Sequence, residues 1–172
     1  GKLKCYGDFT FHYLIRGICN DLDNTRPYIS SSPFSYRSIG NDELSGDTHC
    51  NSYQPALKKD INNFREVLYN IEASFASEIA VQGSSRFQTI KKFIPEKVLW
   101  PLNNIWDLHF TENPYDGTDT TFAEQQMMAA EELFGPIDSA IDFIKKSMTT
   151  HKEFVEAESQ YHRARKGECG GA

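Results

Sequence analysis

Ser74-Phe75-Ala76-Ser77-Glu78-Ile79-Ala80-Val81-Gln82-Gly83 is a short run of apolar and small residues with one carboxylate at its centre, and Gly83-Ser84-Ser85 stops it. Such a run predicts a buried strand that ends in a loop. Glu is almost never fully buried unless paired, so Glu78 inside a core strand demands a reason. On the run alone two readings compete. Either Glu78 points to water or pairs with a nearby arginine, or it is a catalytic carboxylate at the C-terminal end of a parallel strand.

Upstream, Phe11, Leu14, Ile15, Ile18, Cys19 and Leu22 fall at helical spacing and predict an amphipathic helix over residues 9–22. Tyr28-Ile29-Ser30-Ser31-Ser32 reads as a short strand closed by Pro33, residues 34–46 as a polar loop, and Asp47-Thr48-His49-Cys50 as a second strand. Leu57, Ile61, Phe64, Val67, Leu68 and Ile71 predict a helix from Pro55 to Asn70. Downstream, Phe87 to Phe93 predicts a short helix, residues 95–100 one further turn, residues 103–111 an irregular stretch carrying Trp106 and His109, and residues 113–118 a loop.

Two helices complete the chain. One carries Thr121, Phe122, Met128, Leu133 and Phe134 and ends at Gly135-Pro136. The other starts near Asp138, carries Ile141, Ile144, Met148, Phe154, Val155 and Tyr161 on its apolar side, and is expected to kink near Thr149-Thr150. The final residues, 168–172, look like the approach to another strand. Strands alternating with helices predict an α/β fold built from parallel βα units.

The chain has 172 residues, 39% of them hydrophobic and 13% aromatic, enough for one packed domain. A net charge of -6 argues against non-specific nucleic-acid binding, which needs basic surface. No apolar run approaches the roughly 20 residues of a membrane span, so no membrane partner is expected. No signal-peptide pattern occurs in this segment, which slightly favours the cytoplasm. Cys5, Cys19, Cys50 and Cys169 are scattered, with no C-x-x-C pair, and read as free thiols or small core residues rather than a zinc site. No metal or organic cofactor is expected. His12, His151 and His162 read as solvent-facing histidines on helices.

Several stretches in order resemble the catalytic barrel of family 2 glycoside hydrolases, in its β-mannosidase-like branch. Asp23-Asn24-Thr25-Arg26-Pro27-Tyr28 with Ser31-Ser32-Pro33 is similar to the motif around barrel strand five, and Asn41-Asp42 with Gly46-Asp47-Thr48-His49 to that around strand six. Phe75-Ala76-Ser77-Glu78 with Gln82 resembles strand seven. Phe93-Ile94-Pro95, Leu99-Trp100-Pro101, the Trp106 and His109 pair, and Leu133-Phe134-Gly135 resemble the region after that strand, and the last helix resembles the one leading into strand eight. The resemblance implies a partial (β/α)8 TIM barrel, about strands five to seven with their helices and a helix-rich C-terminal half. Residues 1–172 would then be one segment of a catalytic domain truncated at both ends, since a complete barrel takes about 250 residues.

By this resemblance Glu78 is the catalytic nucleophile of a retaining exo-β-glycosidase, and the acid/base Glu lies on strand four outside this chain, where no Asn-Glu dipeptide occurs. Retaining enzymes hold two carboxyl groups about 5–5.5 Å apart, one attacking the anomeric carbon and one protonating the leaving oxygen. His49 is expected beside Glu78 as a donor to a sugar hydroxyl or as a loop anchor. Trp106 is expected as a sugar-stacking wall or as a core anchor. Ser32 sits at a strand end as a further substrate contact, with a structural role the stronger reading. The implied partners are a β-linked oligosaccharide or glycoside and the remainder of the parent enzyme, with self-association of the isolated chain expected from unpaired strand edges. Isolated, the chain is expected to be inactive.

The sequence departs from the family at Ile79-Ala80-Val81, at Gly83 and at Cys50-Asn51, where the family carries aromatic-Gly-aromatic, Ser, and an aromatic followed by Trp. Exo-β-glucosaminidase and β-galactosidase specificities stay open beside β-mannosidase. From another class, a catalytically inactive carbohydrate-binding or helical interaction module derived from the same fold is the alternative.

Overall fold

A computed structural model describes residues 7–37, 41–50, 63–70, 72–79, 82–110 and 120–172. Thr10–Ile15 forms a π-helical stretch that runs into α1, Arg16–Leu22. The expected helix is therefore present, but none of its residues is buried, and Phe9 and Leu22 are 70% and 82% exposed. An amphipathic pattern buries its face only where another element packs on it.

Strand β1, Thr48–Cys50, pairs in parallel with β2, Ala76–Ile79. His49 stands opposite Glu78, and the register shifts between Thr48 and His49. The last residues are laid beside β2 on its other side. Gly170 N donates to the Ser74 carbonyl at 2.7 Å, and Ala76 N donates to the Gly171 carbonyl at 2.9 Å, so this segment runs in the same sense as β2.

The expected strand over Tyr28–Ser32 is absent: no ladder pairs these residues among the described ones. A strand needs a backbone partner, and here the Ser31 and Ser32 hydroxyls turn instead to the Pro33 carbonyl and the Asp47 carboxylate. Of the helix expected from Pro55, the described part is α2, Phe64–Leu68; residues 51–62 and the expected loop over 113–118 lie outside the described residues.

After β2 come α3, Phe87–Ile90, and a 3-10 turn, Glu96–Val98. The stretch expected to be irregular is instead α4, Asn104–His109. Asn103 makes it so: its side-chain oxygen accepts from Ile105 N at 3.0 Å, while its amide donates to the carbonyls of Val98 and Pro101.

Helix α5, Phe122–Phe134, opens on a capping box in which Thr121 Oγ1 accepts from Glu124 N and Glu124 Oε2 accepts from Thr121 N. It ends at Gly135, whose φ of 80° belongs to the left-handed region. Helix α6, Ala140–Ala164, is capped by Ser139 and is helical throughout, with the Thr149 and Thr150 hydroxyls donating to the carbonyls of Lys145 and Lys146 where a kink is expected.

The buried stripe of α6 also differs from the expected one. Phe143, Ser147, Thr150, Phe154, Glu158 and His162 face inward, whereas Ile141 and Met148 are largely exposed. Small polar residues let neighbours come close: Ser147 Oγ accepts from Ser84 N at 3.0 Å. Near its start α6 packs Phe143 edge-on against Trp106 in the main core. Further along, Phe154 stacks on Phe64 of α2 with ring centroids 4.3 Å apart. Each such ring contributes about 1.5–3 kcal/mol by leaving water. No helix among the described residues is long and apolar enough to cross a membrane. The result is a helix-rich arrangement around a small parallel sheet, compatible with a fragment of an α/β enzyme.

Candidate active site

The loop before β1 is built to present His49. Asn41 grips its backbone from one side: His49 N donates to Asn41 Oδ1 at 2.9 Å, and Asn41 Nδ2 donates to the His49 carbonyl at 3.1 Å. Asp42 holds the loop itself, accepting from Ser35, Ser45 and Leu44 N, while Thr48 Oγ1 donates to the Asp42 carbonyl.

Asp47 is the hub of the polar cluster. It accepts from Phe34 N at 2.6 Å and from the hydroxyls of Ser32 and Ser77. Burial pushes its carboxyl up, but these hydrogen bonds and the neighbouring His49 outweigh burial and hold it below the usual carboxylate range. Asp47 is therefore an acceptor only. Ser32 spends its proton on Asp47, so its oxygen is free to accept from His49 Nε2, 3.0 Å away. The network thus assigns a proton to Nε2.

The other ring nitrogen faces the carboxylate. His49 Nδ1 lies 3.4 Å from Glu78 Oε2, with the Glu78 side chain 54% exposed. The strand at Glu78 is present, but it is not the buried strand expected: Ala76 is buried, whereas Ser77 and Glu78 are exposed. The residue beside it is His49, as expected, and the arginine of the alternative reading is not at this contact. An exposed carboxylate held beside an imidazole can attack an electrophilic carbon or exchange a proton through the ring.

Ser32, His49 and Glu78 are thus brought together, and Asp47 and Ser77, not singled out from sequence, tie them to one another. Their signal is position along the strands, since each flanks a residue already marked. Trp106 stands in the core instead, 0% exposed, with Nε1 donating to the Leu99 carbonyl at 3.0 Å and its ring against Phe110 and Phe143. It borders a cavity of about 360 Å³ shared with Gln82, Phe93, His109 and His151. Gly83 opens onto the same cavity. A Cβ there would lie 2.6 Å from His151 Cβ, which accounts for glycine at that position.

The histidines expected at the surface divide three ways. His12 is exposed, His151 is half-buried with burial pushing its pKa down, and His162 is buried at 2% exposure. Cys50 and Cys169 are buried free thiols and Cys19 a half-buried one, while Cys5 lies outside the described residues.

This fold has a solved counterpart. The chain is similar to the crystal structure of β-D-mannosidase from Dictyoglomus thermophilum, with a TM-score of 0.73 and 22% identity, over 98% of this chain and 19% of that one. It shares the fold of about a fifth of that protein. No protein-family model matches the sequence, and no curated protein matches it either.

Proposed function

We propose that this chain is a segment of a β-mannosidase-like retaining glycosidase, with β1 and β2 as strands six and seven of a (β/α)8 barrel and Glu78 as nucleophile. The observation that carries the reading is the placement of Glu78 on a parallel strand, opposite His49 and within 3.4 Å of its ring. The likeness of fold to a β-mannosidase over 98% of the chain supports the same reading. Glu78 attacks the anomeric carbon of a terminal β-linked sugar and forms a glycosyl ester as the leaving oxygen takes a proton from an acid supplied outside these residues. Water, deprotonated by the same group, then releases the sugar and restores the carboxylate. His49 flanks the carboxylate, and Ser32 holds the far side of its ring. Trp106, buried as it is, acts by shaping the neighbouring cavity.

The test uses the longer polypeptide that carries this segment. A 2-fluoro mannosyl inactivator is expected to label Glu78, found by peptide mass spectrometry, and Glu78→Gln is expected to lose turnover of aryl β-mannosides. A label on another carboxylate, or undiminished turnover in Glu78→Gln, rejects the assignment. Absence of turnover on any aryl β-glycoside, with retained sugar binding, favours the inactive module.

A further inference from the structure

Alternation along β1 sends His49 toward Glu78 and Cys50 to the opposite face, where α6 passes. There Cys50, Glu158 and His162 are 1%, 0% and 2% exposed. Their ligand atoms all lie within 4.8 Å of one another. Glu158 and His162 are one helical turn apart, so both point the same way, and Cys50 comes to them across 112 residues of sequence. Among the described residues neither Glu158 oxygen has a hydrogen-bond partner of ordinary geometry, and the facing cation-former is His162 Nε2, 3.6 Å from Oε1. A carboxylate left so in a dry interior is costly, and buried charges are ordinarily paired or bound to metal.

We infer that Cys50, Glu158 and His162 form a binding site for a zinc ion. The chemistry of the donors selects the ion: thiolate, imidazole and carboxylate together suit zinc and not magnesium or calcium, which take oxygen ligands. The spacing fits as well. Tetrahedral zinc with ordinary bond lengths separates an imidazole nitrogen from a thiolate by about 3.6 Å and from a carboxylate oxygen by about 3.4 Å. His162 Nε2 stands 3.8 Å from Cys50 Sγ and 3.6 Å from Glu158 Oε1. On binding, Cys50 releases its proton to solvent, and one thiolate and one carboxylate then balance the two charges of the ion, so the filled site is neutral.

The fourth position is left to water. His162 borders a cavity of about 300 Å³ with Cys169, Gly170 and Gly171. His162 Nδ1 has no partner, so the outer contact that usually orients a ligating histidine is missing. Affinity is accordingly expected about 10–100-fold below that of a fully supported zinc site. The site lies on the face of the sheet away from Glu78, so it braces β1 against α6 and takes no part in sugar chemistry.

The experiment takes the longer polypeptide that carries this segment, strips it with chelator and titrates it with zinc and, separately, with cobalt as a spectroscopic probe. One equivalent of either metal is expected to bind, with a thiolate-to-cobalt charge-transfer band in the near ultraviolet and a rise in melting temperature. Cys50→Ser and Glu158→Gln are each expected to weaken binding at least about 100-fold, while Cys19→Ser leaves it unchanged. Binding of less than one equivalent, a cobalt complex without the thiolate band, or full affinity in Cys50→Ser overturns the inference. The cobalt spectrum of the unsubstituted chain decides the matter even where a variant fails to fold.

Discussion

His49 Nδ1 and Glu78 Oε2 face each other at 3.4 Å across the two parallel strands, and Ser32 holds the far nitrogen of the same ring. The imidazole therefore cannot turn without breaking a contact, and the ring helps set the direction of the carboxylate. His49→Ala removes that ring. If the segment serves the proposed glycosidase, kcat is expected to fall about 10²-fold, the cost of a small misplacement at a reacting centre. Steady-state kinetics on an aryl β-mannoside reads it, and an unchanged kcat would reject a positioning role for His49.

Asp47 makes the cluster sensitive to acid. Its pKa is lowered in the folded chain relative to the ordinary value of 3.8, so the unfolded chain binds a proton first as pH falls. The stability this carboxylate contributes is fully present above pH 3.8 and is lost as pH falls below it through the folded value. Denaturant unfolding followed from about pH 6 down to about pH 3 is expected to show this loss, and Asp47→Asn is expected to flatten that limb. An equally steep limb in the variant would show that other groups carry it.

Phe154 joins α6 to α2 and is fully buried against Phe64. Phe154→Ala leaves a cavity that two rigid helices cannot close, and is expected to lower unfolding free energy by about 3–5 kcal/mol. Equilibrium denaturation measures it; a loss below about 1 kcal/mol would mean that the pair packs loosely.

Gly83→Ala places a methyl 2.6 Å from His151 Cβ, an atom fixed to the backbone of α6. The approach of the loop after β2 to α6 must widen, at an expected cost of about 1–3 kcal/mol. His151→Ala keeps its own Cβ and so is not expected to rescue the double variant. A neutral Gly83→Ala in a thermal melt would count against the contact.

Much of the local structure is legible in sequence. Gly135-Pro136 marks the end of a helix in the sequence, and Gly135 closes α5 there. Asn103 is not legible as a cap because its helix is only six residues long, too short for periodicity to register. The site is legible in part: motif order leads to Ser32, His49 and Glu78, which do meet, and to Trp106, which the core claims. Aromatic side chains mark both sugar platforms and cores, and type alone does not separate them.

By itself the sequence determined where the long helices lie, because caps, turns and periodicity act over a few neighbouring residues, whereas a strand as short as β1 carries too little period to register. Only the tertiary structure decided which stripe of α6 turns inward, and that Cys50 reaches Glu158 and His162. Those meetings join residues far apart in the chain through packing and parallel pairing. No short-range pattern records them, since burial depends on what arrives from elsewhere and not on the residue's own neighbours.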